Sequence, residues 1–108
     1  MRSFDPIAEA IDWLDAYRAT SLSIVEMYAA GGALECSCGD PIAIRGREAI
    51  TEYWKCRFIE KPAGELLDLQ AYGDDIVVNY EVPGGMVEAL LHFDGDGKIK
   101  RSLCWPIT

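Results

Sequence analysis

The sequence has few of the features that mark membrane-spanning or nucleic-acid-binding proteins. No run approaches the roughly 18 consecutive apolar residues of a membrane span. No cluster of lysine or arginine interrupts the chain, which carries 10 basic and 18 acidic residues and a net charge of −8. Such a surface repels phosphate groups, so neither nucleic acid nor an anionic membrane is expected as a partner.

The first residues also lack the apolar run of a secretory signal, so a cytoplasmic location is expected. Half of the 108 residues are hydrophobic, which is enough for a core that needs neither disulfides nor metal. The length fits one domain, residues 1–108. In a reducing compartment the four cysteines are expected to be free thiols: Cys36, Cys38, Cys56 and Cys104.

The chain is also poor in histidine and in paired metal ligands. Cys36-x-Cys38 stands with scattered partners, whereas structural zinc sites bring their ligands in close pairs. No metal site and no cofactor are therefore predicted, and the cysteines are interpreted as small buried side chains. The single histidine, His92, alternates with Leu91 and Phe93, which predicts that it faces away from the core.

The first half of the chain has the periodicity of helices. Apolar residues recur at three- and four-residue steps over residues 5–19. Ser23-x-x-Glu26 fits a capping box and predicts a second, shorter helix that ends at Gly31-Gly32. Together these signals predict two helices before the first strand.

A third helix is predicted after two short extended segments. Residues 33–38 and 42–44 favour strands, separated by Gly39-Asp40-Pro41. Gly46 opens the helix, and Lys61-Pro62 stops it because proline disfavours helix in the residue before it. Arg57, near the end of this helix, is interpreted as complementing the negative end of the helix dipole.

The second half of the chain has the pattern of antiparallel strands. Apolar stretches separated by glycine- and aspartate-rich turns predict a four-strand meander. The predicted strands are 66–72, 76–82, 86–93 and 98–105. Helices followed by an antiparallel sheet predict an α+β fold, with the helices covering one face of the sheet.

Several local motifs, taken in their order, resemble a known superfamily. They are the stretches 13–17, 46–50, 72–78 and 93–99, the last being Phe-Asp-Gly-Asp-Gly-Lys-Ile. Their order and spacing resemble the nuclear transport factor 2-like superfamily, which includes ketosteroid isomerases and SnoaL-like polyketide cyclases. The resemblance implies a cone-shaped domain, with three N-terminal helices packed on a strongly curved, mainly antiparallel sheet. It also implies a homodimer formed through the outer face of the sheet.

The same resemblance implies a pocket inside the cone for an apolar small molecule, cyclic ones included. Aromatic walls suit such a ligand, although large rings can equally fill the space themselves, and the residues leave both outcomes open. The expected lining residues are Trp13, Tyr17, Tyr28, Cys36, Trp54, Phe58, Ala89, Leu91 and Cys104.

The best-known chemistry of the superfamily does not map onto this chain. Ketosteroid isomerases use a carboxylate base, with a tyrosine and a protonated aspartic acid that stabilise the oxyanion. The resemblance puts the tyrosine position on Trp13, the base on Cys36 and the acid on Ala89, and none of these can do the required work. The catalytic residues are therefore unknown, and so is whether the domain is an enzyme.

Two hypotheses stay open at this stage. One is ligand binding with isomerase-, cyclase- or hydrolase-type chemistry, which would require a buried carboxylate. The candidates for that carboxylate are Asp12, Glu35 and Asp40; a shift of the register by one residue would bring in Asp12 and Glu35 together with Glu88. The other is a non-catalytic module for ligand binding or dimerisation.

Overall fold

Three helical segments and one sheet make up the fold. The computed structural model describes residues 4–107, so residues 1–3 and 108 of the expected domain lie outside the described residues. The helical segments are α1 (Pro6–Arg18), a 3₁₀ helix (Leu22–Met27) and α2 (Arg47–Glu60). The strands are β1 (Tyr28–Cys36), β2 (Ile42–Arg45), β3 (Leu66–Tyr72), β4 (Asp75–Val82), β5 (Gly85–Phe93) and β6 (Ile99–Ile107).

The six strands form one mixed sheet in the order β2-β1-β6-β5-β4-β3. β1 and β6 run parallel, and every other neighbouring pair is antiparallel. The predicted α+β class and the mainly antiparallel sheet are confirmed. Because the parallel pair joins the first strand to the last, it brings the two halves of the chain together.

Both α-helices begin at the residues that the sequence indicates. The Asp5 side chain accepts hydrogen bonds from the backbone N–H groups of Ile7 and Ala8, which caps α1 just before Pro6. Gly46 precedes α2 with a φ of 92°, a conformation that favours glycine. Across residues 4–107, no helix combines the length and apolar character needed to span a membrane.

The predicted end of the second helix is wrong. Gly31-Gly32 lies inside β1, which begins at Tyr28, and the helix before it is a 3₁₀ helix that stops at Met27. The pairing of β1 with β6 shifts between Tyr28 and Ala33, so the glycine pair sits at an irregularity of the strand. Glycine within a strand often marks such a bulge or a close approach of backbones.

Side chains of β5 alternate between the core and the outer face of the sheet. Val87, Ala89, Leu91 and Phe93 are buried. His92 lies on the opposite face, where its Nδ1 is 2.5 Å from a carboxylate oxygen of Asp75 on β4. The prediction that His92 faces away from the core is confirmed.

The alternative register, which is shifted by one residue and would turn Asp12, Glu35 and Glu88 towards the core, is wrong. Glu88 accepts a hydrogen bond of 2.9 Å from the Trp105 indole N–H on the outer face. Glu35 pairs with Arg101 at 3.0 Å, and both side chains are about half exposed. Asp12 is exposed on α1.

A pair of alanine substitutions tests the close approach at the bulge. A Cβ on Gly32 would lie 3.0 Å from the carbonyl oxygens of Ala29 and Ile99, both of them backbone atoms. We expect Gly32→Ala to lower the free energy of unfolding by about 1–3 kcal/mol, as overpacking typically does. Gly31→Ala is the control, since a Cβ there meets nothing within 4 Å. Urea denaturation of both variants measures the difference, and equal stabilities would contradict it.

Candidate functional site

A cavity of about 440 Å³ opens between α2 and the end of β1 with β2. Its apolar wall includes Ile42 and Ile44 of β2 and Ala49 of α2. Tyr53 and Arg57, one and two turns further along α2, also line it. Exposed acidic side chains surround the opening: Asp40, Glu52 and Glu60.

The residues expected to line a pocket lie in different parts of the interior. Cys36 lines the cavity. A second, nearly closed space of about 10 Å³ is bordered by Trp13, Trp54, Ala89 and Cys104. Tyr17, Tyr28 and Leu91 are fully buried in the core, and Phe58 packs against it.

Aromatic rings fill the middle of the core. The ring of Tyr17 lies 4.8 Å from that of Trp54, 5.4 Å from that of Tyr80 and 5.8 Å from that of Trp13, all edge to face. Edge-to-face packing of this kind is favourable because the positive ring edge meets the negative face. The cavity of about 440 Å³ lies beside this aromatic cluster, and Tyr53 borders both that cavity and the smaller space next to the cluster.

Arg57 is buried at the inner end of the cavity, with 5% of its surface exposed. Its Nε donates a hydrogen bond of 2.8 Å to the Tyr17 hydroxyl, and a terminal nitrogen lies 3.4 Å from the Tyr80 hydroxyl. The ion pairs found within the described part of the chain do not include Arg57. A buried guanidinium without a carboxylate partner is costly unless other acceptors surround it.

Arg57 does lie in the last turn of α2, where the sequence interpretation has it complementing the helix end, but its side chain is buried and bonds to phenol hydroxyls. The sequence carried a signal for burial, because Arg57 follows Ile50 by seven residues and Trp54 by three, the spacing of one helix face. These three residues form the buried side of α2.

Three of the four cysteines meet beside Arg57. Cys36 and Cys104 are directly paired across β1 and β6, and their sulfurs lie 3.0 Å apart. The Cys38 sulfur is 3.8 Å from that of Cys104. Terminal nitrogens of Arg57 lie 3.7 Å from the Cys36 sulfur and 3.6 Å from the Cys38 sulfur. All three are free thiols, as expected.

These contacts change the acidity of the thiols. The thiols of Cys104 and Cys38 donate to the sulfur of Cys36 and lower its pKa. The same contacts raise the pKa of Cys104, which burial raises further. Cys36 therefore becomes a thiolate before Cys104 does.

Several buried phenols surround the cavity and the core. Burial raises the pKa of Tyr17 and of Tyr28 to about 12. It also raises the pKa values of Tyr53 and Tyr80. The Tyr28 hydroxyl is 2.8 Å from that of Ser102 and accepts a 3.4 Å hydrogen bond from the indole of Trp13. Each phenol is held in its neutral form.

Carboxylates stay at the surface. The buried polar or charged residues of 4–107 are Arg57 and Ser102, so no carboxyl group is buried within this range. Asp40 borders the cavity but is exposed. A buried carboxylate, which the hypothesis of acid–base chemistry in the cone calls for, is not found among the described residues.

Comparisons with known proteins identify the fold. No family profile matches the chain, and no curated protein matches it. A SnoaL-like protein of unknown function from Burkholderia thailandensis superposes with a TM-score of 0.79, 22% identity and 92% of each chain covered. The epoxide hydrolase/cyclase-like enzyme SalBIII, which acts in pyran ring formation in the polyether salinomycin, gives a TM-score of 0.77 and 18% identity. There, 95% of this chain and 91% of the other are covered.

A third similar structure carries a bound small molecule. It is a hypothetical protein with a ketosteroid isomerase-like fold from Catenulispora acidiphila, in complex with trimethylamine. Its TM-score is 0.69 at 15% identity, with 90% of this chain and 83% of the other covered. The chain thus has the cone-shaped fold of SnoaL-like and ketosteroid isomerase-like proteins, and the expectation from the sequence motifs is confirmed at the level of the fold.

The buried phenols predict a loss of stability at alkaline pH. An unfolded tyrosine ionises near pH 10, whereas folded Tyr28 ionises near 12, so the unfolded state loses its proton first. The free energy of unfolding should therefore fall as the pH rises from 10 towards 12, by about 3 kcal/mol for this residue alone. Tyr28→Phe should reduce the decline, and Tyr72→Phe, which removes an exposed ring, is the control. Denaturation series at stepped pH measure both, and a decline unchanged in Tyr28→Phe would contradict the assignment.

Proposed function

We propose that this domain binds a small apolar organic molecule in the cavity between β2 and α2. Cyclic molecules belong to this ligand class. The cavity itself is the observation that carries the proposal, because about 440 Å³ falls within the range of ligand pockets. The rings of the core leave this volume open. Binding there requires no rearrangement of the aromatic cluster.

The lining matches a molecule with an apolar body and one polar group. Ile42, Ile44 and Ala49 offer hydrophobic contact. Tyr53 and Arg57 offer an O–H and N–H donors on the same wall, which suit a carbonyl or other oxygen acceptor. Few, convergent polar groups in an apolar cavity fix the orientation of a ligand.

We favour binding without the acid–base chemistry of ketosteroid isomerases. The resemblance puts Trp13, Cys36 and Ala89 at the positions of the catalytic residues of those enzymes, and no carboxyl group is buried within residues 4–107. Isomerase- or cyclase-type turnover is the alternative. The likeness in fold to SalBIII supports it, and it would have to use the phenols, thiols and guanidinium of the cavity instead of a carboxylate.

A change in the size of one cavity residue tests the binding site. Ala49→Phe places a ring in the cavity, and we expect the Kd for the planar ketone fluorenone to rise by about tenfold or more, a loss of ~1.4 kcal/mol or more. The control is Ala8→Phe, which adds the same ring to an exposed position of α1. Ligand-observed NMR titration measures both.

The two variants separate a cavity site from non-specific binding. If Ala49→Phe and Ala8→Phe weaken fluorenone equally, or if neither does, the molecule does not occupy this cavity. If the wild-type chain binds neither fluorenone nor a panel of smaller cyclic ketones, the proposed ligand class is wrong. Circular dichroism establishes that both variants keep the fold.

We further propose that the domain is a homodimer through the outer face of the sheet. Val77, Leu90 and Leu103 are register partners on β4, β5 and β6, which makes a continuous apolar row across that face. Each is half-buried in the isolated chain. An apolar row on a broad sheet face is typical of a surface that a second copy covers.

A charge in the middle of this row tests the dimer. We expect Leu90→Lys to shift the chain from dimer to monomer, because burying an unpaired ammonium at the interface is costly. Ile59→Lys is the control, since Ile59 is 82% exposed on α2 and lies away from the sheet face. Sedimentation velocity at several concentrations measures the assembly, and a wild-type chain that is monomeric throughout would refute the proposal.

A cytoplasmic location completes the proposed function. The four cysteines carry free thiols, and a reducing compartment keeps thiols in that state. The acidic net charge of −8 argues against nucleic acid as a partner.

A further inference from the structure

The three thiols of Cys36, Cys38 and Cys104, here called the thiol triad, are arranged like a set of metal ligands. Their sulfurs all lie within 4.8 Å of one another. Two of the separations are 3.0 Å and 3.8 Å. With a zinc–sulfur bond of about 2.3 Å, two sulfurs of a tetrahedral site are about 3.8 Å apart. Small side-chain rotations would therefore suffice to bring all three onto one ion.

Two members of the triad come from strands that are paired with each other. Cys36 ends β1, Cys38 follows it by two residues, and Cys104 lies within β6. The parallel register pairs Cys36 directly with Cys104, so two of the ligands are fixed by backbone hydrogen bonds. Sites built on strands are more rigid than sites built on loops.

The triad also faces open space on one side. Cys36 and Cys38 line the cavity of about 440 Å³. Three protein ligands and one position left for water or a small molecule make the arrangement of zinc sites that act on ligands, whereas purely structural sites use four protein ligands. An ion held by the triad would present its fourth position to this cavity.

The charge of the surroundings favours a divalent ion. Three thiolates and a divalent cation leave one negative charge, which the buried guanidinium of Arg57 neutralises. Its terminal nitrogens lie 3.7 Å from the Cys36 sulfur and 3.6 Å from the Cys38 sulfur, as outer partners of bound thiolates do. The metal–thiolate group, with its net charge of −1, would give Arg57 the counter-charge that the described ion pairs do not provide.

We propose that Cys36, Cys38 and Cys104 bind a thiophilic divalent metal ion of the zinc class, with its fourth coordination position open to the cavity. As each sulfur binds, its thiol gives its proton to the solvent. The inference is independent of the organic ligand proposed above, and its test uses metal alone. The sequence predicted no metal site, because only the pairing of β1 with β6 brings the third sulfur to the Cys36-x-Cys38 pair.

Cobalt(II) is the probe, because it reports both the geometry and the sulfur ligands of a zinc site. The full chain, freshly reduced and kept free of oxygen, is titrated with Co²⁺. We expect one equivalent to give the visible bands of a tetrahedral site and a sulfur-to-cobalt charge-transfer band in the near ultraviolet. Zn²⁺ added afterwards should abolish both, since zinc binds such sites more tightly.

Serine variants identify the ligands. Cys36→Ser, Cys38→Ser and Cys104→Ser should each weaken Co²⁺ binding beyond the ~10–100-fold that loss of an outer partner costs. Cys56→Ser is the matched control, because Cys56 also lines the cavity but is exposed and stands outside the triad. Binding that falls as much in Cys56→Ser as in the triad variants would overturn the assignment.

X-ray absorption of the zinc-loaded wild-type chain gives a second measurement that does not depend on how the variants fold. We expect three sulfur neighbours and one lighter atom around the metal. Fewer than three sulfurs, or no binding by the reduced chain, would overturn the proposal. Binding of Cu⁺ but not of Zn²⁺ or Co²⁺ would overturn the divalent assignment, because it would show that the charge of Arg57 does not select the ion.

Discussion

The parallel pairing of β1 with β6 is the interaction on which the rest of this structure depends. It joins the strand that follows the first two helical segments to the last strand of the chain, and so places β1 and β2 in the same sheet as the four later strands. It sets Cys36 beside Cys104 and brings the Cys38 loop towards α2. The cavity, the thiol triad and the contacts of Arg57 all follow from this one register. The backbone bulge at Gly32 is where the pairing adapts to the close approach of β6.

A buried cation in a core of neutral groups is the second constraint. Arg57 is surrounded by the hydroxyls of Tyr17 and Tyr80 and by two sulfurs, and burial keeps the phenols neutral. The stability of this arrangement depends on acceptors that each compensate part of one charge. An oxygen of a ligand, a thiolate or a metal–thiolate group would each complete that compensation. The cavity beside Arg57 is therefore the part of the structure best suited to bind such a group.

The local elements were predictable, and the departures from prediction have physical causes. β3 has the bounds that its apolar stretch and flanking turns indicate, and the alternation along β5 assigned the inward and outward faces correctly. Gly31-Gly32 was predicted as a helix end because glycine serves at both helix ends and strand bulges, and the choice depends on a partner strand far away in the chain. The burial of Arg57 is not part of the sequence prediction, since charged side chains are seldom buried, although its spacing from Ile50 and Trp54 indicates the core.

The sequence by itself determined the α+β class, the order of most elements and, through motifs that resemble those of SnoaL-like proteins, the expectation of a cone-shaped fold. These features depend on periodicity and turn chemistry, which act over a few residues. Only the tertiary structure decided where the open space lies, because the aromatic residues that predict a pocket also pack against one another and fill the core. The tertiary structure alone places Cys104 next to Cys36 and Cys38, and it places Arg57 beside these cysteines. Contacts between residues distant in the chain depend on strand register, and no local pattern specifies a register between the first and last strands of a sheet.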